Sequence, residues 1–290
     1  MPIRETARAK VNLTLKVLGR RPDGYHELES VVTFADVGDR LELLPRARSR
    51  IAATGPFAAE ITGENLLTKT LALLRELEPR LQLGSVRLEK NLPVAAGLGG
   101  GSADAAALLR AVRQANPVLA PGLDWQAAAA RLGADVPVCL VGRPALMWGK
   151  GDRLQTLAEA PLQFAVVLAN PRQPLATAEV FAALAAGPAP AIRSQPAPPR
   201  PFRHLPALVD YIRARGNDLE APATRLMPAI AEMKAALAAQ PGCHAAAMSG
   251  SGPTCFGVFM NEADTARAAS ALTKVQPGWW IVATRLDLPG

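Results

Sequence analysis

The chain has 290 residues, 49% of them hydrophobic and 20% charged, which supplies a sizeable core and suits two domains better than one. Its net charge of +7 comes mainly from single arginines rather than a block, and aromatics are only 4% of residues. This favours anionic small molecules and argues against sequence-directed nucleic-acid binding.

MPIRETARAK lacks the apolar run of a secretory signal, and no stretch approaches the roughly 18 apolar residues of a membrane span. A cytoplasmic protein with no membrane partner is expected. TARAKVNLTLKVLG then alternates polar and apolar positions, the period of a half-buried strand. Pro22, Asp23 and Gly24 break the chain, after which ESVVTFADV and DRLELLP read as two further strands. NLLTKTLALLRELE places leucines at helical spacing behind Asn65, a candidate cap. GSVRLEKNLPVAAGLGGGSADAAALLRAVRQ reads as strand, glycine-rich loop and alanine-rich helix. WQAAAARL is a further helix, and ADVPVCLVGRPALMWGKG is read as short strands.

From about Arg153 the pattern restarts. LQFAVVLANP is a buried strand, LATAEVFAAL a helix, and GPAPAIRSQPAPPRP an exposed, extended loop, because proline neither donates to a ladder nor continues a helix. HLPALVDYIRAR, AIAEMKAALAAQ and EADTARAASALTK read as helices, CHAAAMSGSGPTCFGVF as strand, glycine turn and strand, and WWIVATRL as a closing strand. These elements predict a mixed α/β protein with domains over residues 1–150 and 151–290. Cys139, Cys243 and Cys255 have apolar neighbours and no CxxC spacing, so buried thiols are expected. His26, His204 and His244 are too scattered for zinc.

The informative stretch is PVAAGLGGGSADAA. Gly97, Gly99, Gly100 and Gly101 lead into a helix whose first turn holds Ser102 and Asp104. Without Cβ atoms, backbone N–H groups can converge on a phosphate, and the helix N-terminus adds unsatisfied donors. No Lys-Ser or Lys-Thr follows the glycines, so this is not a Walker A loop, nor does it match the dinucleotide fingerprint.

PxxxGLGGGSA instead resembles the second motif of the GHMP kinases. ARAKVNLTL (7–15) and MSGSGPTCFGVF (248–259) resemble motifs one and three, so three ordered matches span nearly the whole chain. Within that superfamily, GRRPDGYHELESV (19–31) resembles the cytidine-recognition segment of the diphosphocytidyl-methylerythritol kinases, and LGADVPVCL and NDLE are also like that family. The resemblance implies ATP-dependent phosphorylation of the 2-hydroxyl of 4-diphosphocytidyl-2-C-methyl-D-erythritol, in the non-mevalonate route to isoprenoid precursors. It further implies a two-domain α/β fold, an N-terminal domain like ribosomal protein S5 domain 2 and a ferredoxin-like C-terminal domain, with the site in the cleft between them. Another small-molecule GHMP kinase, of the homoserine or mevalonate type, or a silent GHMP-fold binding protein are the alternatives.

The resemblance also implies roles for residues. Asp135 and Lys10 match the catalytic pair, the carboxylate taking the acceptor's proton and the ammonium orienting it and offsetting phosphate charge. Pro93, Val94, Ala95, Ala96, Gly97, Leu98, Gly99, Gly100, Gly101, Ser102 and Ala103 form the loop around ATP, with Asn65 and Lys90 toward adenosine. Tyr25 and Phe181 would hold the cytosine ring between them while His26 addresses its edge. Asn12, two residues beyond Lys10 on the same strand face, would bind the acceptor, and Ser249, Gly250, Ser251 and Gly252 would close over the reacting phosphate. ATP brings Mg²⁺, with Ser102 as one ligand and its other protein ligands unassigned.

Overall fold

The computed structural model describes residues 1–61, 65–157, 161–190, 195–200 and 202–289. In chain order the elements are β1 (Ile3–Asn12), β2 (Lys16–Arg20), β3 (His26–Leu44), β4 (Arg50–Thr54), α1 (Leu66–Leu77), β5 (Ser85–Glu89), α2 (Gly100–Ala115), α3 (Trp125–Leu132), α4 (Val136–Val141), β6 (Ala145–Gly149), β7 (Arg153–Thr156) and β8 (Pro161–Asn170). They continue with α5 (Thr177–Leu184), α6 (Leu205–Arg215), α7 (Glu220–Leu226), α8 (Ala229–Ala238), β9 (Cys243–Met248), β10 (Cys255–Phe259), α9 (Glu262–Val275) and β11 (Trp280–Pro289). The mixed α/β class expected from the sequence is what forms.

Two compact units assemble from separated stretches, one from residues 1–9, 37–94 and 99–142, the other from 10–36, 95–98 and 143–290. In the first, β4 pairs parallel to β5, and β5 pairs antiparallel to the second half of β3, from Arg40↔Glu89 to Leu44↔Ser85. Helices α1 to α4 bury Leu67, Leu71, Leu74, Leu108, Leu109, Val112 and Val138. Two of these helices, α1 and α3, carry side-chain caps. Asn65 Oδ1 accepts from Thr68 N–H at 3.0 Å, and Asp124 Oδ1 accepts from Ala127 N–H at 2.9 Å. Helix α2 is different, since Gly99 precedes it in a left-handed conformation with no side-chain cap.

In the second unit, β10 lies between β8 and β9, and β11 pairs along the whole of β8. Val167, Leu168, Phe256, Val258 and Phe259 are fully buried there, and Val167 and Phe259 share a core with Ile230, Met233, Leu237, Ala268 and Leu272 of α8 and α9. The first half of β3 pairs with β2 and with β6, which pairs with β7.

Several local expectations are corrected. Residues 136–141, read as strand, form the short helix α4, because Pro137 sits in its first turn where a missing N–H costs nothing. ESVVTFADV and DRLELLP are one 19-residue strand. Gly38 within it marks close approach rather than a turn: a Cβ there would lie 2.3 Å from Ala7 O. Cys139 and Cys255 are buried as expected, but Cys243 is only half-buried. The proline-rich segment carries no helix or strand over 195–200, and its residues 191–194 and 201 lie outside the described residues.

Candidate active site

The three motif strings, up to 240 residues apart, meet within the second unit. Lys10 N–H donates to Leu98 O at 2.9 Å, joining motif one to the glycine loop. Ser249 Oγ donates to Gly97 O at 3.0 Å and accepts from Asn12 N–H at 3.1 Å, so one hydroxyl ties motif three to both. Thr254 N–H adds a bond to Ala96 O at 3.2 Å. Gly97, at φ 73°, is required here, since a Cβ would stand 2.6 Å from Gly252 O and 2.7 Å from Ser249 O.

Asn12 is buried, and its network fixes its orientation. Ser30 Oγ donates to Thr14 O at 2.6 Å and has no second proton, so it accepts from Asn12 Nδ2 at 2.7 Å. Asn12 Oδ1 is left facing away, buried and without a partner. A buried acceptor without a donor is costly, and a ligand hydroxyl would satisfy it. Gly250 lies against this oxygen: a Cβ there would be 3.1 Å from it. Asn217, which the sequence reading noted only as part of NDLE, donates to Met248 O at 2.9 Å and Gly250 O at 2.8 Å and so holds the Ser249–Gly252 turn. Ser251 Oγ shares a 2.8 Å hydrogen bond with Thr177 Oγ1.

Tyr25 is 56% exposed, beside Lys150, whose Nζ lies 5.3 Å from the ring centroid. Phe181 stacks on His26, with centroids 4.6 Å apart. His26 therefore occupies a face of Phe181 in this conformation. Burial and then the charge of Arg20 hold the imidazole below its usual pKa, which keeps the ring neutral at pH 7. Lys150, which the sequence did not single out, stands between Gly149 and Gly151, both at positive φ.

In the first unit, Lys90 lies beneath the start of α2. Its ammonium bonds Asp39 Oδ2 at 2.5 Å and Asp104 Oδ2 at 2.7 Å, and all three side chains are buried. Asp39 Oδ1 also accepts the N–H groups of Asn91 and Leu92, at 2.6 and 2.8 Å. Asp104 Oδ1 has no partner, and burial pushes that carboxyl up to about 7 despite Lys90. Burial would lower Lys90, but the two carboxylates outweigh it and raise it. Lys90, expected toward adenosine, thus has its charge committed to Asp39 and Asp104, and Asp104 in the first turn of α2 points inward. Ser102, two residues earlier, is partly exposed.

Asp135 stands at the N-terminus of α4 in this unit, partly exposed, while Lys10 is 4% exposed and belongs to the other unit. Asn65 serves as the cap described above. Among the described residues no cluster of three His, Cys, Asp or Glu side chains could hold a metal. A hydroxyl at the start of a helix fits Mg²⁺ carried mainly on nucleotide phosphates, an ion that favours few protein ligands.

Comparison with known proteins places this arrangement. Residues 65–143 match the GHMP kinases N terminal domain and residues 203–278 the family described as GHMP kinases C terminal. The chain is 51% identical to the 4-diphosphocytidyl-2-C-methyl-D-erythritol kinase of Parvibaculum lavamentivorans over 97% of both chains. It is 46% identical to that of Rhodopseudomonas palustris over 99% of this chain and 98% of the relative. A crystal structure of 4-(cytidine 5'-diphospho)-2C-methyl-D-erythritol kinase superposes with a TM-score of 0.76 at 35% identity, covering 99% of this chain and all of the other. The three motif strings, the mixed α/β fold in two units and this end-to-end likeness have one reading: the chain belongs to the GHMP kinases, in the 4-diphosphocytidyl-2-C-methyl-D-erythritol kinase family.

Proposed function

We propose that the protein transfers the γ-phosphoryl group of ATP to the 2-hydroxyl of 4-diphosphocytidyl-2-C-methyl-D-erythritol, releasing ADP. What supports this most is identity near one half with named kinases along the whole chain. In the reaction the bond from the γ-phosphorus to the bridging oxygen of ADP breaks, and a new P–O bond forms to the acceptor oxygen. The acceptor's proton must leave as that bond forms, and the Asp135 carboxylate takes it. Lys10 orients the acceptor and offsets charge on the transferring group. The uncapped amides at the start of α2, behind Gly99, bind phosphate oxygens.

Asn12 Oδ1 accepts a hydrogen bond from the acceptor molecule, which gives that buried oxygen the donor it lacks. The backbone of Ser249–Gly252 donates to the reacting phosphate. Tyr25 and Phe181 stack on the cytosine after His26 moves off the Phe181 ring, and Lys150 answers the diphosphate. Mg²⁺, held by Ser102 and the phosphates, would neutralise phosphate charge.

The test is an ADP-release assay with purified Lys10→Ala and Asp135→Asn variants. Each should lower turnover by at least about 100-fold while ATP still binds, the scale for a proton acceptor or an electrostatic group. Near-normal turnover in either variant removes that residue from the chemistry.

A further inference from the structure

In the second unit, helices α6 and α8 flank a cavity of about 440 Å³ against the outer edge of β9. It lies within the size range of small-molecule sites, about 300–1,000 Å³. Strand β9 pairs with β10 on one side only. The bond from Ser249 N–H to Thr254 O fixes the alternation, so Ala245 and Ala247 turn their backbone groups to β10. His244, Ala246 and Met248 turn theirs off the edge.

Protein side chains cap the two outer positions. Arg213 Nη2 donates to His244 O at 2.7 Å, Met248 N–H donates to Glu220 Oε2 at 3.3 Å, and Asn217 holds Met248 O. Among the described residues Ala246 has no such cap, and it lines the cavity. One N–H and one C=O are therefore offered side by side. A peptide strand cannot add there, because the neighbouring positions are already used. A planar ring edge with an adjacent donor and acceptor can, which is the hydrogen-bonding character of a nucleobase. Arg213 and Lys234 line the same cavity against the single carboxylate of Glu220, which pairs with Lys234, leaving one positive charge in excess for an anionic group.

We propose that this cavity is a second nucleotide site, with the base edge on the N–H and C=O of Ala246 and the phosphate toward Arg213 and Lys234. It is separate from the residues assigned to ATP and the cytidyl acceptor, and it backs onto the Ser249–Gly252 turn through Asn217.

Equilibrium dialysis of the wild-type chain against radiolabelled AMP, CMP, GMP and UMP, each up to about 1 mM, tests it. Ala238→Phe fills the cavity from α8, and Ala246→Pro removes the outward N–H while leaving the bonds to β10. For at least one nucleotide the wild type should bind one more equivalent per chain than either variant, with turnover at substrate saturation unchanged. Equal stoichiometry in wild type and Ala238→Phe for all four nucleotides overturns the site. Loss in Ala238→Phe with full retention in an Ala246→Pro chain that folds by circular dichroism overturns the base-edge contact; if Ala246→Pro does not fold, Ala238→Phe alone decides.

Discussion

Two buried polar atoms without partners, Asn12 Oδ1 and Asp104 Oδ1, mark two kinds of residue. Asn12 sits among the strands that carry the motifs, and the proposed function gives its Oδ1 a donor from the acceptor. Asp104 instead completes an ion cluster with Lys90 and Asp39, whose role is to hold the start of α2. Lys90→Met should cost about 3–5 kcal/mol in urea unfolding, because it leaves two carboxylates buried without their cation. Lys90→Met combined with Asp104→Leu should recover a large part of that loss, as an apolar replacement of a buried ion pair usually does. If the double variant were no more stable than the single one, the cost would lie in the lost packing of the lysine stem.

At the scale of elements, the turn between β9 and β10 depends on Asn217, which bonds two of its carbonyls. Asn217→Ala should lower stability by about 1–3 kcal/mol, since both carbonyls lose their donor. The turn's closure over the phosphate should loosen with it, so kcat should fall while the affinity for the cytidyl acceptor changes little. Gly100→Val should weaken ATP binding strongly. A Cβ at Gly100 would come 3.2 Å from Lys90 Nζ, so the branched side chain presses on the buried cluster as well as on the phosphate path. Unchanged nucleotide affinity would move the phosphates away from this helix start.

Much of this was legible from sequence because the signals were local. Asn65 announced its helix, and CHAAAMSGSGPTCFGVF, read as strand, glycine turn and strand, is β9, the Ser249–Gly252 turn and β10. What escaped depended on partners distant in the chain. Gly38 reads as a breaker until Ala7 is known to lie against it, and the strand containing it was therefore split. Lys90 reads as a solvated lysine on an alternating strand until Asp39 and Asp104 are brought to it across separations of 51 and 14 residues. The His26–Phe181 stack pairs a turn with a helix 155 positions later, and no periodicity encodes that.

The whole molecule shares its fold with enzymes that act on other alcohols. A homoserine kinase from Cytophaga hutchinsonii superposes with a TM-score of 0.63 at 18% identity, and a mevalonate kinase from L. major with 0.67 at 13%. A fold spread over several acceptors does not choose among them, so the choice must lie in particular side chains. Tyr25, His26 and Phe181 belong to one unit, and under the proposed function binding energy gained there, away from the reacting hydroxyl, would help position the acceptor in the transition state. The protein should therefore turn over the cytidyl diphosphate ester and fail on methylerythritol phosphate lacking the nucleotide. Stacking on one aromatic contributes about 1–3 kcal/mol, so Tyr25→Ala should reduce kcat/KM for the cytidyl ester about 5- to 150-fold and leave ATP affinity little changed. Phe181→Ala should give a comparable loss, but with a different cause available, since removing the ring also frees His26. The double variant His26→Ala/Phe181→Ala separates the two: if Phe181 acts by stacking on the base, it is as impaired as Phe181→Ala, and if Phe181 acts only by seating His26, it matches His26→Ala. Intact kinetics in Tyr25→Ala, or faster turnover of homoserine or mevalonate, would refute the cytidine site and leave the kinase family membership standing.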